Sequence, residues 1–260
     1  MKSLHEFKSS IRFLLTDIDD TLTDDGQLGP EAYSALWDLH RHGIHVIPVT
    51  GRPAGWCEMI ARQWPVAGVI GENGGFYFRY HEKQMKRYFV FDAITQKINR
   101  EKLELIRNEV LSTIPGAGIA SDQFCRLMDL AVDFCEDVPA LPEKDIQQIV
   151  SVFKKYGAQA KVSSIHVNGW FGEYNKLSTA LKFLQTEFGI TADDAKNLCA
   201  FSGDSPNDEP MFEYFPHSFA VANINHFLAI LKSRPTYIAT ERGGLGFVEI
   251  AKTLLRNEAP

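Results

Sequence analysis

An apolar run opens at Ile11 and ends in Thr16-Asp17-Ile18-Asp19-Asp20-Thr21-Leu22. Such a run reads as a strand buried on both faces. It delivers three acidic residues to its C-terminal end, and Thr23-Asp24-Asp25-Gly26 then gives a turn signal. Open α/β sheets present their chemistry at the C-terminal ends of parallel strands. Carboxylates at the end of an apolar strand are costly to keep charged unless a cation offsets them, and hard cations prefer oxygen ligands.

The chain repeats this plan. Gly29-Pro30-Glu31 opens a helix, with Pro at a position that needs no N–H, and Gly43 stops it. A second apolar run, Ile44 to Val49, ends in Thr50-Gly51-Arg52-Pro53. A helix from Ala54 to Trp64 and a third run, Ala67 to Ile70, follow. Strand, helix, strand, helix, strand predicts a parallel sheet with right-handed crossovers. After Gly71-Glu72-Asn73-Gly74-Gly75, aromatic alternation at Phe76 and Phe78 and a return run from Met85 to Phe91 predict a hairpin.

The pattern then changes. Residues 93–113 and 142–156 read as amphipathic helices, and 126–134 and 160–167 as strands of an antiparallel type. The parallel pattern resumes with a helix at 176–188, a strand at 197–201, a short helix at 210–215, a strand at 218–222, a helix at 225–231, a last strand at 237–239 and a terminal helix at 246–255. The expected fold class is α/β: a Rossmann-like core with a parallel sheet, formed by 1–91 and 170–260, with an inserted α+β unit at 92–169.

With 260 residues, the chain is one large domain or a domain with a sizeable insertion. The net charge of −6 implies no broad basic surface, so nucleic acid is not an expected partner. No apolar run approaches the roughly 20 residues of a membrane span. The residues Met1 to Glu6 carry no apolar signal core. The four cysteines are scattered, without disulfide or zinc spacing, and the expected setting is cytoplasmic.

Four polar clusters fall where predicted strands end or a helix begins: Asp17 with Asp19, Thr50 with Arg52, Lys176, and Asp204 with Asn207 and Asp208. Carboxylates in excess call for a divalent cation, and Arg and Lys call for an anion. A site that gathers both suits a phosphate held beside a metal. A carboxylate attacks a phosphate ester only when the repulsion between the two anions is removed. A second carboxylate two residues along can then handle the proton of the leaving oxygen.

Asp17-Ile18-Asp19-Asp20-Thr21 resembles the first motif, DxDxT, of the haloacid dehalogenase (HAD) superfamily. Thr50-Gly51-Arg52 is similar to its second motif, Lys176 to its third, and Gly203-Asp204-Ser205-Pro206-Asn207-Asp208 to its fourth, GDxxND. Gly71-Glu72-Asn73-Gly74 and Val221-Ala222-Asn223 resemble the Cof-type branch, subfamily IIB, whose C2-type cap falls in the interval occupied here by 92–169. The resemblance implies a Mg²⁺-dependent phosphatase of a small phosphorylated metabolite, with a sugar phosphate favoured and an aspartyl-phosphate intermediate. It makes Asp17 the nucleophile and a metal ligand, and Asp19 the general acid/base with its carbonyl also on the metal. Thr50, Gly51, Arg52, Lys176 and Asn207 would bind phosphate, and Asp204 and Asp208 would complete the metal site. Asn73, Ser164, His166 and Asn168 are candidate substrate contacts. Asp20 stands where the family usually has Gly and receives no role. Alternatives are a phosphotransferase such as a phosphohexomutase, and a catalytically silent phosphometabolite-binding protein. Oligomeric state is not legible in the sequence.

Overall fold

A computed structural model describes residues 1–163 and 165–257. Its central sheet has six parallel strands in the order Lys2–Ser3, Tyr237–Ile238, Ser218–Ala220, Cys199–Gly203, Phe13–Thr16 and His45–Pro48. Phe13–Thr16 is buried along its whole length, as its uninterrupted apolar pattern requires. Leu14 and Val46 point to one face, where they pack against helices Pro30–Arg41, Ala54–Gln63 and Gly243–Arg256. Phe13, Leu15 and Ile47 point to the other, against Lys176–Phe188, Ala192–Leu198 and Glu209–Tyr214. The result is a three-layer αβα sandwich with two apolar cores.

A parallel bridge between Val49 and Ile70 links this sheet to strand Val69–Gly71. That strand heads an antiparallel trio with the predicted hairpin, Phe76–His81 and Gln84–Phe89. Residues 92–170 build a separate antiparallel sheet, ordered Gln159–Val162, His166–Trp170, Asp129–Asp133 and Gly118–Ile119. Helices Ala93–Thr113 and Glu143–Lys155 cover one of its faces through Ile106, Val110, Ile149 and Phe153, which meet Leu130, Val132 and Val167. The opposite face carries Asp129, Asp133, His166 and Asn168, because successive side chains alternate across a sheet. This polar face turns toward the C-terminal edge of the parallel sheet, where Arg126 donates to the Gly51 carbonyl.

Three elements differ from expectation. The single strand expected at 160–167 is two antiparallel strands, Gln159–Val162 and His166–Trp170. Ser163 links their near ends, its Oγ accepting from the His166 amide at 3.0 Å and its own amide donating to the His166 carbonyl at 2.8 Å. A hydroxyl turn of this kind leaves little trace in composition. The helix expected at 225–231 is a 3-10 turn, Ala222–His226, whose Asn223 side chain accepts instead from the Gly243 amide. The strand expected from 197 begins at Cys199, because Thr191 caps a helix, Ala192–Leu198, by accepting from the Asp194 amide at 3.2 Å.

Candidate active site

Strand Phe13–Thr16 ends one residue before Asp17, and strand Cys199–Gly203 ends one residue before Asp204. The two strands are neighbours, and the Asp17 amide donates to the Ser202 carbonyl at 2.9 Å. Ligand oxygens of Asp17, Asp204 and Asp208 therefore lie within 4.8 Å of one another, all buried. Gly203 makes room for this approach, since a Cβ there would run into the Asp208 carboxylate. The Asp204 amide donates to Asp208 Oδ2 at 3.1 Å, and Thr21 Oγ1 donates to Asp204 Oδ1 at 3.4 Å.

Lys176 opens a helix that Asn175 caps, its side chain accepting from the Ser178 amide. The helix start lies at the same sheet edge, so Lys176 Nζ donates to Asp17 Oδ1 and to Asp208 Oδ1, each at 2.9 Å. Although burial works against its charge, Asp17 and Asp208 hold Lys176 well above the usual lysine range. One lysine does not neutralise three carboxylates. Burial, partly offset by Lys176, pushes Asp17 up to about 7. Burial together with Asp208 and Asp17 pushes Asp204 up to about 9. Three hard oxygen donors short of positive charge fit a divalent cation such as Mg²⁺.

Arg52 follows the strand His45–Pro48 by four residues and does not point at this cluster. Its Nε donates to Asp19 Oδ1 at 3.0 Å and its Nη2 to the same oxygen at 2.7 Å, while its guanidinium stacks 4.6 Å from the Trp56 ring. Arg52 thus pairs with Asp19, whose charge still acts on Asp17. Thr50 is fully buried, and its Oγ1 accepts from the Arg52 amide at 3.0 Å, which fixes the hydroxyl oxygen. Asn73 has φ of 56° and its amide donates to the Thr50 carbonyl at 3.1 Å, with Gly51 lying under its side chain. Its backbone role in shaping the Thr50 loop is the one the contacts display. Asn207 sits on a 3-10 turn, Pro206–Asp208, and its Oδ1 accepts from Ser205 Oγ at 3.1 Å.

Asp20 now has a structural account. Its φ of 57° lies in the left-handed region, which Gly adopts freely and Asp or Asn tolerates better than most residues. Its amide donates to Thr23 Oγ1 at 3.3 Å. Asp20 therefore turns the chain and stands beside the metal-ligand candidates without joining them.

Asn168 and His166 lie on the polar face of the antiparallel sheet, both buried. Asn168 Nδ2 donates to Asp129 Oδ2 at 3.2 Å. His166 Nε2 lies 2.9 Å from Glu136 Oε2 but lacks hydrogen-bond alignment, and burial with the nearby Arg126 pushes its ring down to about 4. Ser164 lies outside the described residues. Asp129 and Asp133 are buried: Asp129 accepts from Arg126 Nη1 at 3.1 Å, and Asp133 accepts from the amides of Cys135, Glu136 and Asp137.

Glu72 carries a role that composition does not signal. It is fully buried at φ 44° and accepts from the amides of Ala54, Leu127, Met128 and Asp129. Burial and the Asp129 carboxylate push it up to about 8. Glu72 ties the loop after Val69–Gly71 to the start of the antiparallel sheet, and Arg126, reaching from Asp122 and Asp129 to the Gly51 carbonyl, makes a second tie. A lone Glu between glycines carries no sign of such a partner, because every donor is backbone.

Three buried carboxylates and a lysine gather at the C-terminal edge of the parallel sheet, where open α/β sheets present their chemistry. Residues 14–110 match the family described as haloacid dehalogenase-like hydrolase. The chain thus carries a haloacid dehalogenase-like match over its first parallel strands and helices, within a fold of a Rossmann-like core and an additional antiparallel unit. A crystallised Thermoplasma acidophilum protein is similar over 95% of this chain and 99% of its own, with a TM-score of 0.73 and 18% identity. The sucrose-phosphatase of Synechocystis sp. PCC6803, solved with sucrose and phosphate, is similar over 94% and 98%, with a TM-score of 0.64 and 18% identity. A HAD subclass IIB sugar phosphatase is similar over 94% and 98%, with a TM-score of 0.65 and 13% identity. No curated protein sequence matches the chain.

Proposed function

We propose that this chain is a Mg²⁺-dependent phosphatase that hydrolyses a small phosphorylated metabolite, with a sugar phosphate favoured, through an aspartyl-phosphate on Asp17. The observation that carries this reading is Lys176 Nζ held 2.9 Å from both Asp17 and Asp208, with Asp204 in the same cluster. The likeness in fold to a sucrose-phosphatase and a subclass IIB sugar phosphatase supports the substrate class.

In this reading Asp17, Asp204 and Asp208 would hold the cation, with the Asp19 carbonyl. When bound, it would screen the nucleophile from the phosphate and polarise a phosphoryl oxygen. An Asp17 carboxylate oxygen attacks phosphorus in line, and the bond to the leaving oxygen breaks. Asp19, two residues along, gives its proton to that oxygen, then takes one from the water that cleaves the acyl-phosphate. Lys176, Thr50 and Asn207 orient the phosphoryl oxygens, and Arg52 holds Asp19 until substrate arrives. We assign 92–169 as a C2-type cap that excludes bulk water, supported by the polar face it presents to the site.

The test is phosphate release from p-nitrophenyl phosphate and from a panel of phosphorylated metabolites, with Mg²⁺ and with EDTA. Wild type releases inorganic phosphate only with the metal, and Asp17→Asn retains less than about one hundredth of the rate at unchanged fold. Retention of several per cent by Asp17→Asn sinks the nucleophile assignment. Isomerised sugar phosphate in place of free phosphate replaces hydrolysis with phosphoryl transfer.

A further inference from the structure

Lys161 lies on strand Gln159–Val162, and no motif marks it. The register sets it directly opposite Asn168, which is itself opposite Ala131. Residues that face each other across antiparallel strands share a face. Lys161 therefore stands on the same polar face as Asn168, Asp129 and Asp133, the face turned toward the parallel sheet.

Its ammonium reaches across to the catalytic loop. Lys161 Nζ donates to the Asn207 carbonyl at 3.5 Å, the outer limit of a hydrogen bond. Asn207 precedes Asp208, the residue that shares Lys176 with Asp17. Among the described residues, no carboxylate forms an ion pair with Lys161. The amine is largely removed from water, and burial together with the nearby Lys176 works against its charge, offset in part by Asp208. A lysine kept in that position without a counter-ion is short of an anion. Lys161 and Lys176 approach the Asn207–Asp208 turn from the two units of the molecule, one from the antiparallel sheet and one from the core helix Lys176–Phe188.

We propose that Lys161 is a phosphate-binding residue supplied by the antiparallel unit, its ammonium donating to a phosphoryl oxygen of the substrate held against Asp17. This rests on the phosphatase reading and extends it. The anion is the transferred phosphoryl group rather than a second charge on the leaving group, because the contact falls one residue from Asp208. Binding of phosphate then joins the two units, since each contributes a cation to the same dianion.

Inorganic phosphate is the probe, titrated calorimetrically into the full chain with Mg²⁺, alongside kinetics on p-nitrophenyl phosphate. Lys161→Gln weakens phosphate binding by about tenfold or more and raises KM by a similar factor, with a smaller change in kcat. Lys161→Arg recovers most of the affinity. Without phosphate, the thermal midpoint of Lys161→Gln stays at or above that of wild type, because an unpaired cation has been removed. A Lys161→Gln enzyme that hydrolyses normally and binds phosphate within twofold of wild type overturns the assignment and leaves the phosphatase reading standing. Tighter Mg²⁺ binding by Lys161→Gln with phosphate affinity unchanged also overturns it, since Lys161 then serves only to neutralise the carboxylates. A wild-type chain that neither binds phosphate nor releases it from the aryl ester removes both readings.

Discussion

Arg52 grips the Asp19 carboxylate with two nitrogens, Nη2 at 2.7 Å and Nε at 3.0 Å, while its guanidinium carbon lies 4.6 Å from the Trp56 ring centre. A planar fork of this kind fixes direction as well as charge. It holds Asp19 apart from Asp17, Asp204 and Asp208, so two carboxylates only two residues apart in sequence occupy different environments. In the proposed mechanism Asp17 attacks and Asp19 handles the proton, so Arg52 must release Asp19 for it to be protonated.

Asp19→Asn is expected to lower kcat by about 10² to 10⁴, the usual worth of a general acid–base group. Arg52→Lys keeps the charge but loses the fork, and lowers kcat by about tenfold. Steady-state kinetics on an aryl phosphate checks both. An Arg52→Lys enzyme with wild-type kcat shows that Arg52 does not position Asp19.

Lys176→Met leaves Asp17 and Asp208 buried without their cation. Leaving a buried charge unpaired costs about 3–5 kcal/mol. Urea unfolding in EDTA should show a loss of that size, with part of it recovered in Mg²⁺. Equal stability of variant and wild type in EDTA excludes Lys176 as the neutralising group.

Glu72→Ala orphans four buried backbone amides at the junction between the two units. Each unmade bond of this kind costs about 1–3 kcal/mol, so the expected loss is about 4 kcal/mol or more. Hydrogen exchange should show the 127–129 segment losing protection first. If that segment stays as protected as in wild type, Glu72 is not the tie described above.

His166 gives a pH signature. Its folded value, about 4, lies below the ordinary 6.5 because burial and Arg126 disfavour the charged ring. The unfolded chain therefore binds the extra proton between pH 6.5 and 4, and stability falls as pH drops through that window. The contribution is at most about 3 kcal/mol. His166→Gln should flatten this part of the stability–pH curve, as measured by urea unfolding at pH 6.5 and pH 4.5. A curve as steep as that of wild type assigns the dependence to other groups.

The sequence by itself determined the three-layer core and the edge at which its chemistry gathers. Short apolar runs bounded by Gly, Pro and Asp turn signals read as strands covered on both faces, and parallel strands bring Asp17, Thr50 and Asp204 to one end. Lys176 was legible for the same reason, since a capped helix start faces that edge. Asp20 was legible as an exception and became intelligible once its positive φ was known. Only the tertiary structure decided which group Arg52 pairs with, why Glu72 is buried, and that Lys161 meets the Asn207 carbonyl. Those facts depend on contacts between residues 33, 55 and 46 positions apart. Local pattern records the period of a strand or helix and the cap of a turn. It does not record which backbone amides or distant side chains close around a polar group, because that is settled by how the two sheets pack.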